Sequence, residues 1–69
     1  MLKLYVKDGC PYCQKQIEQL EREGLTYQLH NVSQDRFALQ EAKEKYGVST
    51  VPALIENGEV KSVGYQGLG

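Results

Sequence analysis

The chain predicts an α/β fold, a mixed four-stranded sheet in the order βαβαββ with helices on its faces. Three observations carry that expectation. Short apolar runs with strand-like alternation open at Leu2 and Thr26, and each is followed by a stretch that repeats apolar residues at helical spacing. Near the end, Asn57-Gly58 is a two-residue hairpin signal between two further apolar runs. The chain has 69 residues, so 1–69 is expected to form one small domain. A single core of that size supplies about 3–5 kcal/mol of net stability.

Leu2-Lys3-Leu4-Tyr5-Val6 alternates and reads as the first strand. Lys7-Asp8-Gly9 connects it to a helix whose first position suits Pro11, because no N–H is needed there. Cys13, Ile17, Leu20 and Gly24 then recur at helical spacing with Gln, Lys, Arg and Glu between them. Glu18 and Arg22 are set for an i,i+4 ion pair, and Gly24 is the stop. Thr26 to Val32 reads as the second strand, with Tyr27 and Leu29 on one face. Ser33 or Asp35 caps a second helix running to about Tyr46, with Ala38, Leu39, Ala42 and Tyr46 inward and Gly47 ending it. Val48 to Ile55 reads as a third strand that contains Pro52. Glu59 to Val63 pairs back across Asn57-Gly58, and Gly64 to Gly69 is a glycine-rich end. No repeat, linker or low-complexity tract interrupts this order.

Eight basic and nine acidic side chains leave a net charge of −1 with no block of one sign. That argues against nucleic acid or an anionic membrane surface as the main partner. No apolar run approaches the roughly 18 residues of a membrane span. Met1-Leu2-Lys3-Leu4 enters the first strand directly, without the apolar core of a secretion signal. The expected location is therefore a reducing cytoplasm, where a Cys-X-X-Cys pair is more often catalytic or metal-binding than structural.

Cys10-Pro11-Tyr12-Cys13 holds both cysteines of the chain at the expected strand-to-helix junction. A disulfide between them closes a loop of a few residues and constrains the unfolded chain little, so the pair reads as chemistry rather than scaffolding. Backbone N–H groups at a helix start favour a thiolate, which makes Cys10 the candidate nucleophile. Cys13, one turn in, is the candidate resolving thiol, deeper and less acidic. Pro11 stiffens the turn, and Tyr12 is expected to face outward as a platform for substrate. Lys7 either adds positive charge to the site or is an ordinary surface lysine. A zinc site needs four ligands, and His30 is the one further strong donor, so zinc is disfavoured and His30 is expected to be solvated on the second strand. Tyr5, Tyr27 and Tyr46 read as core or core edge, whereas Tyr65 fits either the site rim or packing. Pro52 within a strand pattern reads either as an edge-strand proline in ordinary trans or as a special, cis position that frees the Val51 backbone for an extended substrate.

Cys10-Pro11-Tyr12-Cys13 after a strand, Thr50-Val51-Pro52, and Gly64-Tyr65 together resemble a glutaredoxin, and the likeness runs from Leu2 to Leu68. The resemblance implies a thioredoxin-like fold, a cis Pro52 beside the cysteines, and dithiol–disulfide exchange on protein or small-molecule disulfides. It implies that Cys10 becomes glutathionylated and that Cys13 closes the intramolecular disulfide. Lys7 and Tyr12 fall on positions lining a glutathione groove, Thr50, Val51 and Pro52 on its backbone clamp, and Gly64 and Tyr65 complete the binding side. No bound cofactor or metal is expected, with glutathione acting as reductant.

Two departures from that family pattern bear on partners. Val63-Gly64-Tyr65-Gln66-Gly67 lacks the acidic pair that holds the glutathione ammonium, and Gly64-Tyr65-Gln66 is similar to the glutaredoxin-like hydrogen donors of ribonucleotide reductase. Either glutathione or thioredoxin reductase is thus the expected electron source. Glutaredoxins also continue into a third helix, which the 69 residues do not reach. One sheet face should then be partly uncovered, with homodimerisation or marginal stability as the consequence. Two other functions fit the same residues: a module holding an iron–sulfur cluster through Cys10 and glutathione, for which Pro11 is less typical than a small residue, and a disulfide that acts only as a redox sensor.

Overall fold

The computed structural model describes residues 1–65. The end of the glycine-rich segment, 66–69, lies outside the described residues. In chain order the elements are β1 (Leu2–Val6), α1 (Pro11–Arg22), β2 (Tyr27–Asn31), α2 (Arg36–Gln40) continued by a π-helical turn (Glu41–Lys45), β3 (Ala53–Glu56) and β4 (Glu59–Val63). They build one four-stranded sheet in the order β2-β1-β3-β4. β1 runs parallel to β2, with Leu4 opposite Leu29 and Tyr5 opposite His30. It runs antiparallel to β3, which runs antiparallel to β4. This is the expected mixed βαβαββ sheet. The parallel β1–β2 pair requires a crossover, and α1 supplies it.

Strand alternation divides the core into two layers. Leu4 and Val6 of β1 pack with Cys13, Leu20 and Leu54 on the α1 side. Tyr5, between them in sequence, points the other way and packs with Ala38, Ala42, Val48, Ala53 and Ile55 on the α2 side. Leu4 and Ile55 are almost wholly removed from solvent, and each such side chain contributes about 1.5–3 kcal/mol through burial. Helix ends follow local chemistry. α1 stops where the Gly24 N–H donates to the Glu21 carbonyl and the Leu25 N–H to the Leu20 carbonyl, each at 3.1 Å, the paired bonds of a Schellman end. α2 is capped by Asp35, whose carboxylate accepts from the N–H groups of Phe37 at 3.0 Å and Ala38 at 3.2 Å. Asn57 (φ 51°) and Gly58 (φ 83°) form the β3–β4 hairpin turn with both residues in the left-handed region.

Several expectations require correction. The third strand starts at Ala53, not Val48. Val48 and Val51 reach the core from the preceding loop, so their apolar character does not signal a ladder. Pro52 accordingly stands just before the strand and not inside it, and the Val51–Pro52 bond is cis. Glu18 and Arg22 form no ion pair; among the described residues the ion pairs are Lys3–Glu41 at 3.8 Å and Lys61–Glu56 at 3.2 Å. Both Glu18 and Arg22 are exposed, where the weak attraction does not outweigh the entropy of fixing two long side chains. His30 is half-buried rather than solvated, stacked on Tyr5 with ring centroids 5.1 Å apart. On α1 the inner stripe is Cys13, Gln16 and Leu20, with Ile17 half-buried beside it.

Every residue of β4 is exposed. A groove of about 490 Å³ runs between α1 and the β3–β4 hairpin, walled by Leu20, Leu54, Lys61, Val63 and Gly64. No helix follows β4 among the described residues, and none is long and apolar enough to cross a membrane.

Candidate functional site

β1 ends at Val6, and a three-residue loop delivers Cys10 to the start of α1 as its N-cap, with Pro11 at the first helical position. Cys10 is in extended backbone (φ −108°, ψ 103°) and presents its sulfur to the free N–H groups of the first turn. The Cys13 N–H donates to Cys10 Sγ at 3.1 Å. The two residues are joined as a disulfide, with Cα atoms 5.2 Å apart, well inside the span that a disulfide bridges. Their exposure differs: Cys13 is 3% exposed and belongs to the α1-side core, whereas Cys10 is half-buried. A partner arriving from solvent therefore meets the sulfur of Cys10 more readily than that of Cys13, which lies against it. This is the division of labour that dithiol exchange needs.

The remaining sequence-predicted residues fall into two groups. Lys7 is exposed, forms no ion pair among the described residues, and shares with Cys10 an open cleft of about 580 Å³ whose walls include Asp8, Pro11, Ile17 and Leu29. Thr50, Val51, Pro52, Gly64 and Tyr65 lie outside that cleft. Pro52 is wholly buried, and its carbonyl accepts a hydrogen bond from the Gly64 N–H at 2.7 Å, which ties the loop before β3 to the end of β4. Val51 packs against both core layers, including the one that contains Cys13 and touches Cys10. Thr50 is exposed; Tyr12 and Tyr65 are half-buried rather than projecting freely. Among the described residues no group of three His, Cys, Asp or Glu side chains is gathered closely enough to hold a metal ion.

Residues missed by sequence reasoning stand next to the cysteines. The Asp8 carboxylate accepts from Asn31 Nδ2 at 2.9 Å and Gln34 Nε2 at 3.3 Å, and the Asp8 N–H donates to Ser33 Oγ at 3.0 Å. The loop that carries Cys10 is thereby fastened to the β2–α2 turn. The polar residues Asn31, Ser33 and Gln34 were the available signal, since Asn and Ser at a turn form local hydrogen bonds, but nothing local names Asp8 as their partner. On the opposite face of the sheet the Tyr5 hydroxyl donates to the Glu41 carboxylate. Burial, with the hydrogen bond and charge of Glu41, raises the Tyr5 pKa well above its usual value. The same hydrogen bond, aided by Lys3, lowers that of Glu41.

Comparison with known proteins places this geometry. A family model described as Glutaredoxin matches residues 2–61. The thioredoxin-like protein BC3987 superposes with a TM-score of 0.91 at 26% identity, covering 96% of this chain and 89% of that one. A buckwheat glutaredoxin solved in complex with glutathione gives 0.76 at 26% identity, covering 94% of this chain but 61% of the buckwheat chain. Glutaredoxin 1 from Francisella tularensis, complexed with cacodylate, gives 0.69 at 22% identity over 94% of this chain and 83% of that chain, a likeness of fold. A search of curated protein sequences finds no match.

Proposed function

The chain belongs to the glutaredoxin family, and from that premise we propose that it reduces disulfides through the Cys10–Cys13 dithiol. One observation carries the reading: the sulfur of Cys10 sits at the start of α1 against the Cys13 N–H, with the second sulfur close enough to bond. An anion at that point is favoured by the free N–H groups and the helix dipole.

In the reduced protein the Cys10 thiolate attacks one sulfur of a substrate R–S–S–R′. The Cys10–S–S–R bond forms and R′–S⁻ leaves, taking up a proton from solvent. Cys13, deprotonated, then attacks the Cys10 sulfur. The Cys10–Cys13 disulfide forms and R–S⁻ leaves and is protonated in turn. Two electrons pass from the protein dithiol to the substrate, which gains two protons. Two glutathione thiols or thioredoxin reductase return the pair to the dithiol. Lys7 and Tyr12 are assigned to the groove that receives glutathione or a polypeptide substrate, with Thr50, Val51 and Pro52 as its backbone clamp and Gly64 and Tyr65 completing it. Support for the clamp comes from the hydrogen bond that binds Pro52 to Gly64. The buckwheat neighbour, solved with glutathione, supports glutathione as the ligand class.

The test offers the oxidised protein NADPH with either glutathione and glutathione reductase or thioredoxin reductase. NADPH consumption coupled to reduction of an added disulfide, through at least one of the two, is the expected result. No turnover with either rejects the proposed activity.

A further inference from the structure

Asp8 is the residue on which the position of the reactive cysteine converges. Its backbone and side chain are held at three points by a turn that lies 23 to 26 residues away in sequence. That turn is itself rigidified. Asn31 Oδ1 accepts from the Ser33 N–H at 2.9 Å, and the Asn31 carbonyl accepts from the N–H groups of Gln34 at 3.1 Å and Asp35 at 2.9 Å. Between Asp8 and the sulfur stand only Gly9, in the left-handed region at φ 67°, and the extended N-cap backbone of Cys10. A loop with such a glycine has many conformations to choose from when unfastened. The N-cap conformation that brings Cys10 Sγ to the Cys13 N–H is one of them.

We propose that Asp8, clasped by Asn31, Ser33 and Gln34, is a positioning residue that holds Cys10 in its N-cap conformation when the disulfide is open, and so keeps its thiol acidic. The proposal rests on the reading of Cys10 as the reactive thiolate. It concerns what maintains that state once the covalent link to Cys13 is gone. Two physical effects of Asp8 oppose each other. Its negative charge disfavours a nearby thiolate, whereas its hydrogen bonds fix the geometry that favours one. Both side-chain bonds land on the same oxygen, Oδ1, so an asparagine keeps the acceptor and drops the charge.

The experiment follows the rate of iodoacetamide alkylation of Cys10 against pH in the reduced full chain, with mass spectrometry locating the alkyl group. Wild type, Asp8→Ala, Asn31→Ala and Asp8→Asn are compared, alongside thermal melts. Asp8→Ala and Asn31→Ala are expected to raise the Cys10 pKa, lowering the acid dissociation constant of the thiol about three- to ten-fold, the range that a lost hydrogen bond supports. Asp8→Asn restores the wild-type value or falls below it. Alanine variants that melt earlier but keep the wild-type profile overturn the proposal, since Asp8 is then structural only. A downward shift in Asp8→Ala also overturns it, because charge then dominates, as does an Asp8→Asn profile raised as far as that of Asp8→Ala. A wild-type pKa at the ordinary thiol value overturns the reading of Cys10 itself, whereas a low wild-type value left in place by the variants overturns only the role of Asp8.

Discussion

The hydroxyl of Tyr5, on the inner strand β1, donates a hydrogen bond to the carboxylate of Glu41 at the start of the π-helical turn. This bond joins the sheet to the second helix on the face away from the cysteines, and Lys3 adds an ion pair to the same carboxylate at 3.8 Å.

Stability should therefore fall at both ends of the pH scale. Tyr5 has a folded-state pKa raised above its ordinary value of 10, chiefly by burial and then by Glu41. Its contribution is fully present below about pH 10 and is lost as pH rises toward the folded value. Glu41 has a pKa lowered from 4.5, chiefly by the Tyr5 hydrogen bond. Its contribution is present above that value and is lost as pH falls through the folded one. Urea melts across pH should show both flanks. Tyr5→Phe should lose about 1 kcal/mol at neutral pH and flatten the alkaline flank; an unchanged alkaline flank refutes the assignment.

Core and surface positions should separate sharply. Leu4→Ala removes a side chain that is 0% exposed and should cost about 2–5 kcal/mol. That is comparable to the entire stability expected of a core this small, so the variant should be largely unfolded by circular dichroism at 25 °C. Phe37 is 83% exposed, and Phe37→Ala should stay within about 0.5 kcal/mol of wild type.

The cap of the second helix offers a local test. Asp35→Ala leaves the N–H groups of Phe37 and Ala38 without their acceptor and should cost about 0.5–2 kcal/mol. Asp35→Asn or Asp35→Ser should recover most of it in the same denaturant titration.

Much of this molecule was legible in the residues. The alternation of Leu2 to Val6 and the spacing from Cys13 to Leu20 are short-range signals that the sheet and α1 simply obey. Cys10-Pro11-Tyr12-Cys13 places both sulfurs on one helical turn wherever a helix begins there. What escaped depends on contacts between distant segments. Val48 and Val51 looked like strand residues because they are apolar, yet they enter the core from a loop that ends in Pro52. The burial of His30 follows from its register opposite Tyr5 across the parallel β1–β2 pair, which no window around His30 contains. Gln16 is buried although its polarity suggested the solvent face. Asp8 and Asn31 meet only because β1 and β2 are neighbours.

The two cysteines should fail in different ways. Cys10→Ser should abolish turnover with every disulfide, because the residue that meets the substrate is gone. Cys13→Ser should block release of protein substrates held as a mixed disulfide on Cys10, while glutathionylated substrates that glutathione itself can resolve continue to turn over. A trapped adduct, visible by mass spectrometry in Cys13→Ser and absent from Cys10→Ser, checks the order of attack; the reverse pattern exchanges the two roles.

The most direct measurement is the titration of Cys10 in the reduced protein, followed by thiolate absorbance with Cys10→Ser as the blank. Placement at the α1 N-terminus with the Cys13 N–H on its sulfur predicts a pKa between about 3.5 and 7.5. A value at or above the ordinary thiol pKa of about 8.5 contradicts the account.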